Sequence, residues 1–333
     1  MSTELEQRFL SFLRGIPGSE SLDELLCGEQ YYGQRRVDYL LFERRVIVEV
    51  KSLETDTSSK VETELDHHRE RDDFPLMYGE VELEKILKHL PDGQVINDRI
   101  FLRTTRSVED ATRSAEDQIE NTAQILGLSG AVGMLVLLNQ GIDILTPEVV
   151  ATRVAMLMRR ANEVGSLRSP IIFSWLLFES HVVSHGPAET TFPIIALEGP
   201  RANSYPWFGE LLTHLHVAWA KFNGHPLFQM ESQDLKSVSI SSASMPKDPK
   251  PGENISRQKF WELRYKSHPY LRDLSNEDVL RGGKLAIDAL KPYFFVGGPK
   301  AAPEKMEELM AVWSDFLCEA RYRGLDLRGL REA

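Results

Sequence analysis

The chain has 333 residues, of which 42% are apolar and 27% are charged. These proportions match those of ordinary globular proteins, so they exclude a disordered polymer and a disulfide-stabilised mini-protein, and the length accommodates one large or two modest domains. The formal net charge is −11, and 33 of the 50 acidic residues lie in the first 200 positions, which disfavours a uniformly basic nucleic-acid-binding surface but leaves local basic patches open.

The apolar and charge patterns predict neither a transmembrane helix nor a secretory signal. Its longest apolar run, Ala131–Leu138, is much shorter than the roughly 18 residues that indicate a transmembrane helix. The first residues are acidic, whereas a secretory signal begins with basic residues and continues with an apolar stretch. Cys27 and Cys318 lie far apart without a CxxC pair, so neither a disulfide framework nor a thiolate zinc site is indicated. We therefore expect a cytoplasmic protein with reduced thiols and no membrane partner.

The N-terminal segment predicts a helix followed by a β-hairpin. In residues 3–14 the apolar side chains recur at helical spacing, and Gly15 and Pro17 end the helix. Residues 36–42 and 45–51 are dense in β-forming residues and are separated by a short polar turn, which is typical of a β-hairpin.

The middle of the chain alternates between helical and strand patterns. Residues 54–73 are charged and weakly periodic, which favours a surface helix or loop. Further helices are predicted at 79–90, at 95–126 with one break and at 147–163, and buried strands at 133–138 and 170–178. The order helix, hairpin, helix, strand, helix, strand predicts an α/β fold with a mixed central sheet flanked by helices.

The pattern changes near residue 200, where we expect a domain boundary. Beyond it, helices are predicted at 208–222, 258–266, 276–290 and 303–323, separated by stretches rich in Gly, Pro and Ser. The predicted domains are residues 1–200, with a charged and helical insertion at about 54–94, and a mostly helical C-terminal region at 201–333.

The hairpin carries the charged residues that are most suited to chemistry. Asp38 begins its first strand, and Glu49 and Lys51 lie on the second strand with Val50 between them. Because side chains alternate across a strand, Glu49 and Lys51 share one face while Val50 points into the apolar layer. Two carboxylates and an ammonium group in an apolar sheet are costly unless they pair, bind a metal or act on a substrate.

Two carboxylates at the end of a sheet suit Mg²⁺ or Mn²⁺. These cations prefer carboxylate oxygens together with water and phosphate oxygens. A neighbouring lysine can orient the attacking water, help to deprotonate it, or stabilise the negative charge that develops on a phosphate. The hairpin therefore predicts a metal-assisted phosphodiester-hydrolysing site.

The segment Val37-Asp38, ten residues, Glu49-Val50-Lys51 resembles the PD-(D/E)xK nuclease superfamily, and the predicted element order over about residues 1–180 resembles that restriction-endonuclease-like core. The resemblance implies that Asp38 and Glu49 bind the metal, that the Val50 carbonyl adds a ligand, and that Lys51 is the catalytic lysine. One departure is Val37, which replaces the proline of the motif's name.

Two further catalytic residues are implied by the same resemblance. Family members often carry a glutamate on the first helix, and Glu6 is the better match here, with Glu4 second. Many also carry a glutamine on the helix after the hairpin, which corresponds to Gln118. The long segment 54–94 that separates the hairpin from this helix is the second departure from the family pattern.

A structural explanation of the same residues also remains open. A glutamate and a lysine two residues apart on an edge strand often form a simple cross-strand ion pair, and Glu6 can be an exposed helix charge. The flanking residues 46–50 are, however, too apolar for a solvated strand face. This favours the catalytic interpretation.

A second candidate region, residues 256–272, mixes basic and aromatic side chains and has one acidic residue. Basic side chains neutralise phosphates, and aromatic rings stack on bases. A helix with an apolar stripe and cations extended along it gives the same pattern. The nucleic-acid-binding residues predicted here are Arg257, Lys259, Trp261, Arg264 and Lys266.

Together these features predict a Mg²⁺- or Mn²⁺-dependent nuclease whose partner is nucleic acid, with DNA favoured over RNA, acting in defence or DNA processing. The alternative is an inactive module of the same fold that binds or scaffolds within a multiprotein complex. In either case the C-terminal helices are expected to bind substrate, to form a homodimer or to bind a partner protein.

Overall fold

The computed structural model describes residues 3–28, 35–79, 81–161, 165–184, 190–228, 239–243, 265, 270–294 and 299–330. The chain divides into two compact units, one comprising Met1–Val61 and Phe101–Met245, the other Glu62–Ile100 and Pro246–Ala333. In the described residues, no helix is both long enough and apolar enough to cross a membrane.

The strands of the described residues are β1 (Glu20–Ser21), β2 (Tyr39–Leu41), β3 (Val46–Ser52), β4 (Val132–Asn139), β5 (Ile171–Phe178), β6 (His181–Ser184), β7 (Thr190–Thr191), β8 (Ile194–Glu198) and β9 (Ser239–Ser242). The helices are α1 (Glu4–Arg14), α2 (Leu22–Leu25), α3 (Ser58–Arg69), α4 (Leu83–Leu87), α5 (Gly93–Thr104), α6 (Arg106–Leu126), α7 (Pro147–Met158), α8 (Trp207–Phe222), α9 (Asn276–Phe294) and α10 (Pro303–Arg323).

The first unit is built around a six-stranded sheet in the order β1-β2-β3-β4-β5-β8. Strands β3, β4 and β5 run parallel, whereas β1, β2 and β3 pair antiparallel in sequence and β8 is antiparallel to β5. A smaller sheet has the order β7-β6-β9. The prediction of an α/β fold with a mixed sheet flanked by helices is confirmed.

The central strands are buried on both faces, which explains their nearly continuous apolar sequences. On one face, Val48 and Val50 pack with Phe9 of α1 and Trp219 of α8. On the other face, Ile47 packs with residues of α6 and α7. Helix α8 therefore belongs to the sheet unit, which differs from the predicted domain boundary near residue 200.

Helices α6 and α7 lie side by side on the second face, and two ion pairs join them. Glu109 pairs with Arg153 and Glu116 pairs with Arg160, each with an N–O distance of 2.5 Å. Glu109 and Glu116 are seven residues apart on α6, which is two helical turns, while Arg153 lies on α7 and Arg160 lies two residues beyond its end. These pairs set the position of α6 along α7.

The second unit combines the insertion with the C-terminal helices. The Leu327 N–H donates to the Leu76 carbonyl at 2.7 Å, and the Leu76 N–H donates to Asp326 Oδ1 at 3.1 Å. The buried Glu319 of α10 accepts hydrogen bonds from the Tyr265 hydroxyl and from Arg323 Nε, both at 2.5 Å. The insertion at 62–100 therefore forms one body with residues from the C-terminal region.

Sequence reasoning predicted the long elements and missed the short ones. The helices at 208–222, 276–290 and 303–323 correspond to α8, α9 and α10, while the predicted helix at 258–266 lies outside the described residues except for Tyr265. The missed elements have two to five residues, too few to show a period: β1, α2, β6, β7, β8 and β9.

The turn between β2 and β3 holds three consecutive non-glycine residues in the left-handed conformation. Their φ angles are 54° for Phe42, 53° for Glu43 and 62° for Arg44. Arg44 is held by Glu20, whose carboxylate lies 2.7 Å from the guanidinium Nη2. This turn sets the register that places Asp38 opposite the end of β3.

Substitutions at the exposed Glu43 should reveal this strain. Glu43→Gly relieves a cost of roughly 1 kcal/mol but increases the entropy of the unfolded chain, so we expect an unchanged or slightly higher urea midpoint. Glu43→Val should lower the midpoint, by about 1–2 kcal/mol in unfolding free energy, because β-branched residues avoid positive φ. Equal midpoints for the valine variant and the wild-type protein would contradict this reading of the turn.

Candidate active site

The predicted hairpin residues converge on the sheet face that is covered by α6. Glu49 and Lys51 lie on β3, and their side chains form an ion pair with an N–O distance of 2.5 Å. Val50 packs into the opposite apolar layer. The predicted alternation along this strand is confirmed, and β3 is an inner strand of the sheet, so an ion pair on an exposed edge strand does not describe it.

Gln118 of α6 joins this pair. Lys51 Nζ donates to Gln118 Oε1 at 2.6 Å, and the Ser114 hydroxyl donates to the same oxygen at 3.0 Å. The Gln118 amide nitrogen in turn donates to the Arg36 carbonyl at 2.6 Å. The lysine is thus held between a carboxylate and an amide whose orientation is fixed from two sides.

Helix α6 also binds the backbone just before Asp38. Besides Gln118, Asn121 Nδ2 donates to the Arg35 carbonyl at 2.5 Å, and Thr122 Oγ1 accepts from the Val37 N–H at 3.2 Å. Sequence reasoning missed Asn121 and Thr122. The available signal was three polar residues at i, i+3 and i+4 on a helix face that packs against the sheet.

Asp38 is partly buried and linked to the strand that carries Glu49. Its Oδ2 accepts a hydrogen bond from the Val50 N–H at 2.8 Å. Burial raises its pKa to about 6, although the Val50 hydrogen bond and the charge of Lys51 act in the opposite direction; the charges of Asp23 and Glu6 raise the pKa further. The charges of Glu6 and Lys51 therefore both act on the Asp38 carboxylate.

Glu49 is the most strongly perturbed carboxylate of the site. It is 1% exposed, and its Oε2 is buried without a hydrogen-bond partner among the described residues. Burial and then the charge of Asp38 raise its pKa to about 8, against the opposing effects of Lys51 and Gln118. An unsatisfied buried oxygen costs free energy, so a ligand that contacts Glu49 Oε2 would recover that free energy.

Glu6 of α1 lies at the end of β3. Its Oε2 accepts a hydrogen bond from the Ser52 hydroxyl at 2.8 Å, and the Leu5 N–H donates to Gln140 Oε1 at 3.2 Å, which ties α1 to the residue after β4. Glu6 therefore neighbours the site, but it is bound to Ser52 rather than to Asp38 or Glu49. Its role as a catalytic residue stays a prediction.

Other predicted site features are not tested by this geometry. In the described parts of the chain, no group of three or more His, Cys, Asp or Glu side chains is arranged to hold a metal ion. The role of the Val50 carbonyl stays a prediction. The predicted nucleic-acid-binding residues Arg257, Lys259, Trp261, Arg264 and Lys266 all lie outside the described residues.

A scan against protein-family models and searches of curated proteins and of solved structures give no match to this chain. The chemistry of the site is therefore inferred from its own residues.

The raised pKa of Glu49 predicts how stability depends on pH. Burial raises the pKa of folded Glu49 to about 8, so in the absence of a metal the folded chain binds this proton more tightly than the unfolded chain, where the pKa is near the ordinary value of 4.5. Stability should therefore fall as pH rises through this window and level off above it. Without divalent cations, Glu49→Gln should lose less stability between pH 5 and pH 8, and at pH 8 it should exceed the wild-type protein by on the order of 2 kcal/mol.

Thermal unfolding in EDTA at several pH values measures this difference. The matched control is Glu24→Gln, because Glu24 is exposed on α2, and its pH profile should follow that of the wild-type protein. Identical profiles for Glu49→Gln and the wild-type protein would show that the Glu49 carboxylate carries no such penalty.

Proposed function

We propose that this protein is a divalent-metal-dependent nuclease of the PD-(D/E)xK type that hydrolyses phosphodiester bonds in nucleic acid, with DNA favoured over RNA by that resemblance. The observation that carries the proposal is the buried Glu49 carboxylate with an unpartnered oxygen, beside Asp38 and paired to Lys51. Most buried carboxylate oxygens are hydrogen-bonded, so Glu49 Oε2, unpartnered among the described residues, is a position that a ligand beside Asp38 and Lys51 would satisfy.

The topology supports the same proposal. Asp38 directly precedes the antiparallel hairpin that carries Glu49 and Lys51, β4 lies parallel to β3, and α6 leads into β4 while packing on the motif face. Apart from the inserted helices α3 to α5, this is the element order expected from the resemblance over about residues 1–180. We therefore propose a restriction-endonuclease-like core for the sheet unit.

The donor set fits a hard divalent cation. Asp38 uses Oδ2 for the Val50 N–H and Glu49 uses Oε1 for Lys51, and Glu49 Oε2 remains without a protein partner among the described residues. Carboxylate oxygens from two residues, completed by water, are typical ligands of Mg²⁺ and Mn²⁺. When bound, such a cation supplies Lewis-acid activation of the phosphate and lowers the pKa of a bound water.

Lys51 and Gln118 have distinct roles in this proposal. The Lys51 ammonium stabilises negative charge on the reacting phosphate or orients the attacking water, because it is the cation on this face of the sheet next to both carboxylates. Gln118 is a positioning residue, since it holds Lys51 Nζ through Oε1 while its own amide is anchored to the Arg36 carbonyl.

Removal of the lysine tests the catalytic proposal. Lys51→Ala should reduce Mg²⁺- or Mn²⁺-dependent cleavage at least about 100-fold, because the developing charge loses its cation. The assay uses single-stranded DNA, double-stranded DNA and RNA, with folding checked by circular dichroism. Lys221→Ala is the matched control, since Lys221 is exposed on α8, against the opposite face of the sheet. Full activity of Lys51→Ala would refute this mechanism.

An inactive binding or scaffold module is the second candidate. It is favoured by the arrangement of Lys51, which already has protein partners on two sides, and by the lack of a three-carboxylate cluster in the described residues. Such a module has no need of a metal. Metal binding therefore distinguishes the two functions independently of substrate.

Binding of Mn²⁺ can be followed by thermal unfolding. A nuclease site should raise the unfolding temperature of the wild-type protein as Mn²⁺ is added, because a ligand that binds the folded state stabilises it by mass action. Asp38→Asn should remove most of that increase, whereas Glu24→Gln should retain it. A wild-type protein that shows neither an Mn²⁺-dependent increase nor cleavage would favour the binding module.

A further inference from the structure

A cleft of about 350 Å³ lies where β3 ends and α6 begins, entirely within the sheet unit. This volume is within the range of sites that hold small ligands or parts of larger ones. Among the residues that line it are Ser52, Glu54, Lys60, Arg106, Ser107 and Asp110.

The cleft adjoins the proposed catalytic centre. Ser52, one of its lining residues, directly follows Lys51 and donates a hydrogen bond to Glu6 at 2.8 Å. The next residue, Leu53, fixes the end of the strand through its N–H, which donates to the Leu138 carbonyl at 2.8 Å. The cleft therefore begins one residue beyond the proposed catalytic lysine along β3.

Two cations of the cleft are available to an anion. Lys60 of α3 is exposed at the rim of the cleft. Arg106 has a side chain that is 61% exposed; its Nε lies 3.2 Å from Asp110 Oδ1 and its Nη1 lies 3.7 Å from Glu109 Oε2, so the guanidinium is oriented while much of it faces solvent. A guanidinium and an ammonium group are the side chains that most often bind phosphate.

The start of α6 adds neutral donors beside these cations. The Ser107 hydroxyl is buried without a hydrogen-bond partner in the described residues, and Thr105 makes no capping hydrogen bond to the first turn. The first N–H groups of a helix and its positive end both favour an anion. The hydroxyl, the helix end and the cations are thus all suited to bind the same kind of ligand, an oxyanion.

The acidic residues of the cleft limit the size of that ligand. Asp110 is paired with Arg106, and Glu54 is exposed at the opposite, strand side of the cleft. The two lining cations are balanced by two lining carboxylates, and Glu109 also pairs with Arg106, so the cleft is not a continuous basic track for a polyanion. It suits a single phosphate group held near Lys60, Arg106 and Ser107.

We propose that this cleft binds one phosphate of the nucleic-acid strand that the catalytic centre cleaves and thereby positions the strand relative to Lys51. This inference rests on the proposed nuclease function and specifies how its substrate is held. It also predicts the direction in which each charge changes binding, because Lys60 attracts the phosphate while Glu54 repels it.

The test measures binding of a fluorescent DNA oligonucleotide and steady-state cleavage for the wild-type protein and three variants. Lys60→Ala should weaken binding and raise KM about tenfold with kcat nearly unchanged, and it should reduce the salt dependence of binding by about one ion. Glu54→Gln should tighten binding. Lys221→Ala, an equal change of charge on the opposite face, should leave binding and KM unchanged.

A second arm identifies the phosphate itself. Oligonucleotides with a single neutral methylphosphonate linkage are compared one position at a time. At one linkage near the cleavage point, neutralisation should weaken binding to the wild-type protein but not to Lys60→Ala, because the two changes remove the same contact. Strictly additive losses at every linkage would overturn the proposal.

The outcomes separate the cleft from the catalytic centre. If the wild-type protein cleaves DNA but Lys60→Ala has unchanged Kd and KM, the cleft proposal fails and the nuclease proposal stands. If the folded wild-type protein neither binds nor cleaves any nucleic acid, the proposed function fails and the cleft proposal fails with it.

Discussion

The desolvation of Glu49 is the constraint on which the arrangement of the site depends. Burial disfavours the charged form of a carboxylate on an inner strand between packed helices and raises the pKa of Glu49, and the Lys51 ammonium beside it offsets part of that cost. The lysine in turn requires Gln118, and Gln118 requires that α6 lies at one height on the sheet. The ion pairs of α6 with Arg153 on α7 and with Arg160 just beyond it hold α6 at that height, so residues distant from the site contribute to its alignment.

The two faces of the sheet have different roles: one contributes mainly apolar packing, and the other carries the polar residues of the proposed site. The face against α1 and α8 is apolar and rich in aromatic contacts, such as the edge-to-face pair of Phe9 and Trp175 with centroids 5.3 Å apart. The face against α6 combines an apolar cluster with hydrogen bonds from Gln118, Asn121 and Thr122 to the segment that leads to Asp38. Apolar packing on the first face stabilises the fold, and this offsets the free-energy cost of burying polar groups on the second face.

Local sequence patterns predicted the hairpin, the long helices and the shared face of Glu49 and Lys51, because each depends on a period within one element. The position of Gln118 came from a family resemblance, and its contacts with Lys51 and Arg36 depend on tertiary packing that no local period encodes. The hydrogen bond between Ser52 and Glu6 joins residues 46 positions apart, so no local sequence pattern predicts it either. Strand β8 was missed because it has only five residues and its apolar run, Ile194–Leu197, is too short to show a period.

The composition of the second unit from two distant segments determines how the chain can be divided. Glu62–Ile100 and Pro246–Ala333 contribute to one core and exchange backbone hydrogen bonds, as between Leu76 and Leu327. A truncation after Met245 would therefore leave residues 62–100 with exposed apolar side chains, which invites aggregation of an otherwise complete sheet unit. A well-behaved minimal fragment needs both segments removed together, with residues 61 and 101 rejoined by a linker.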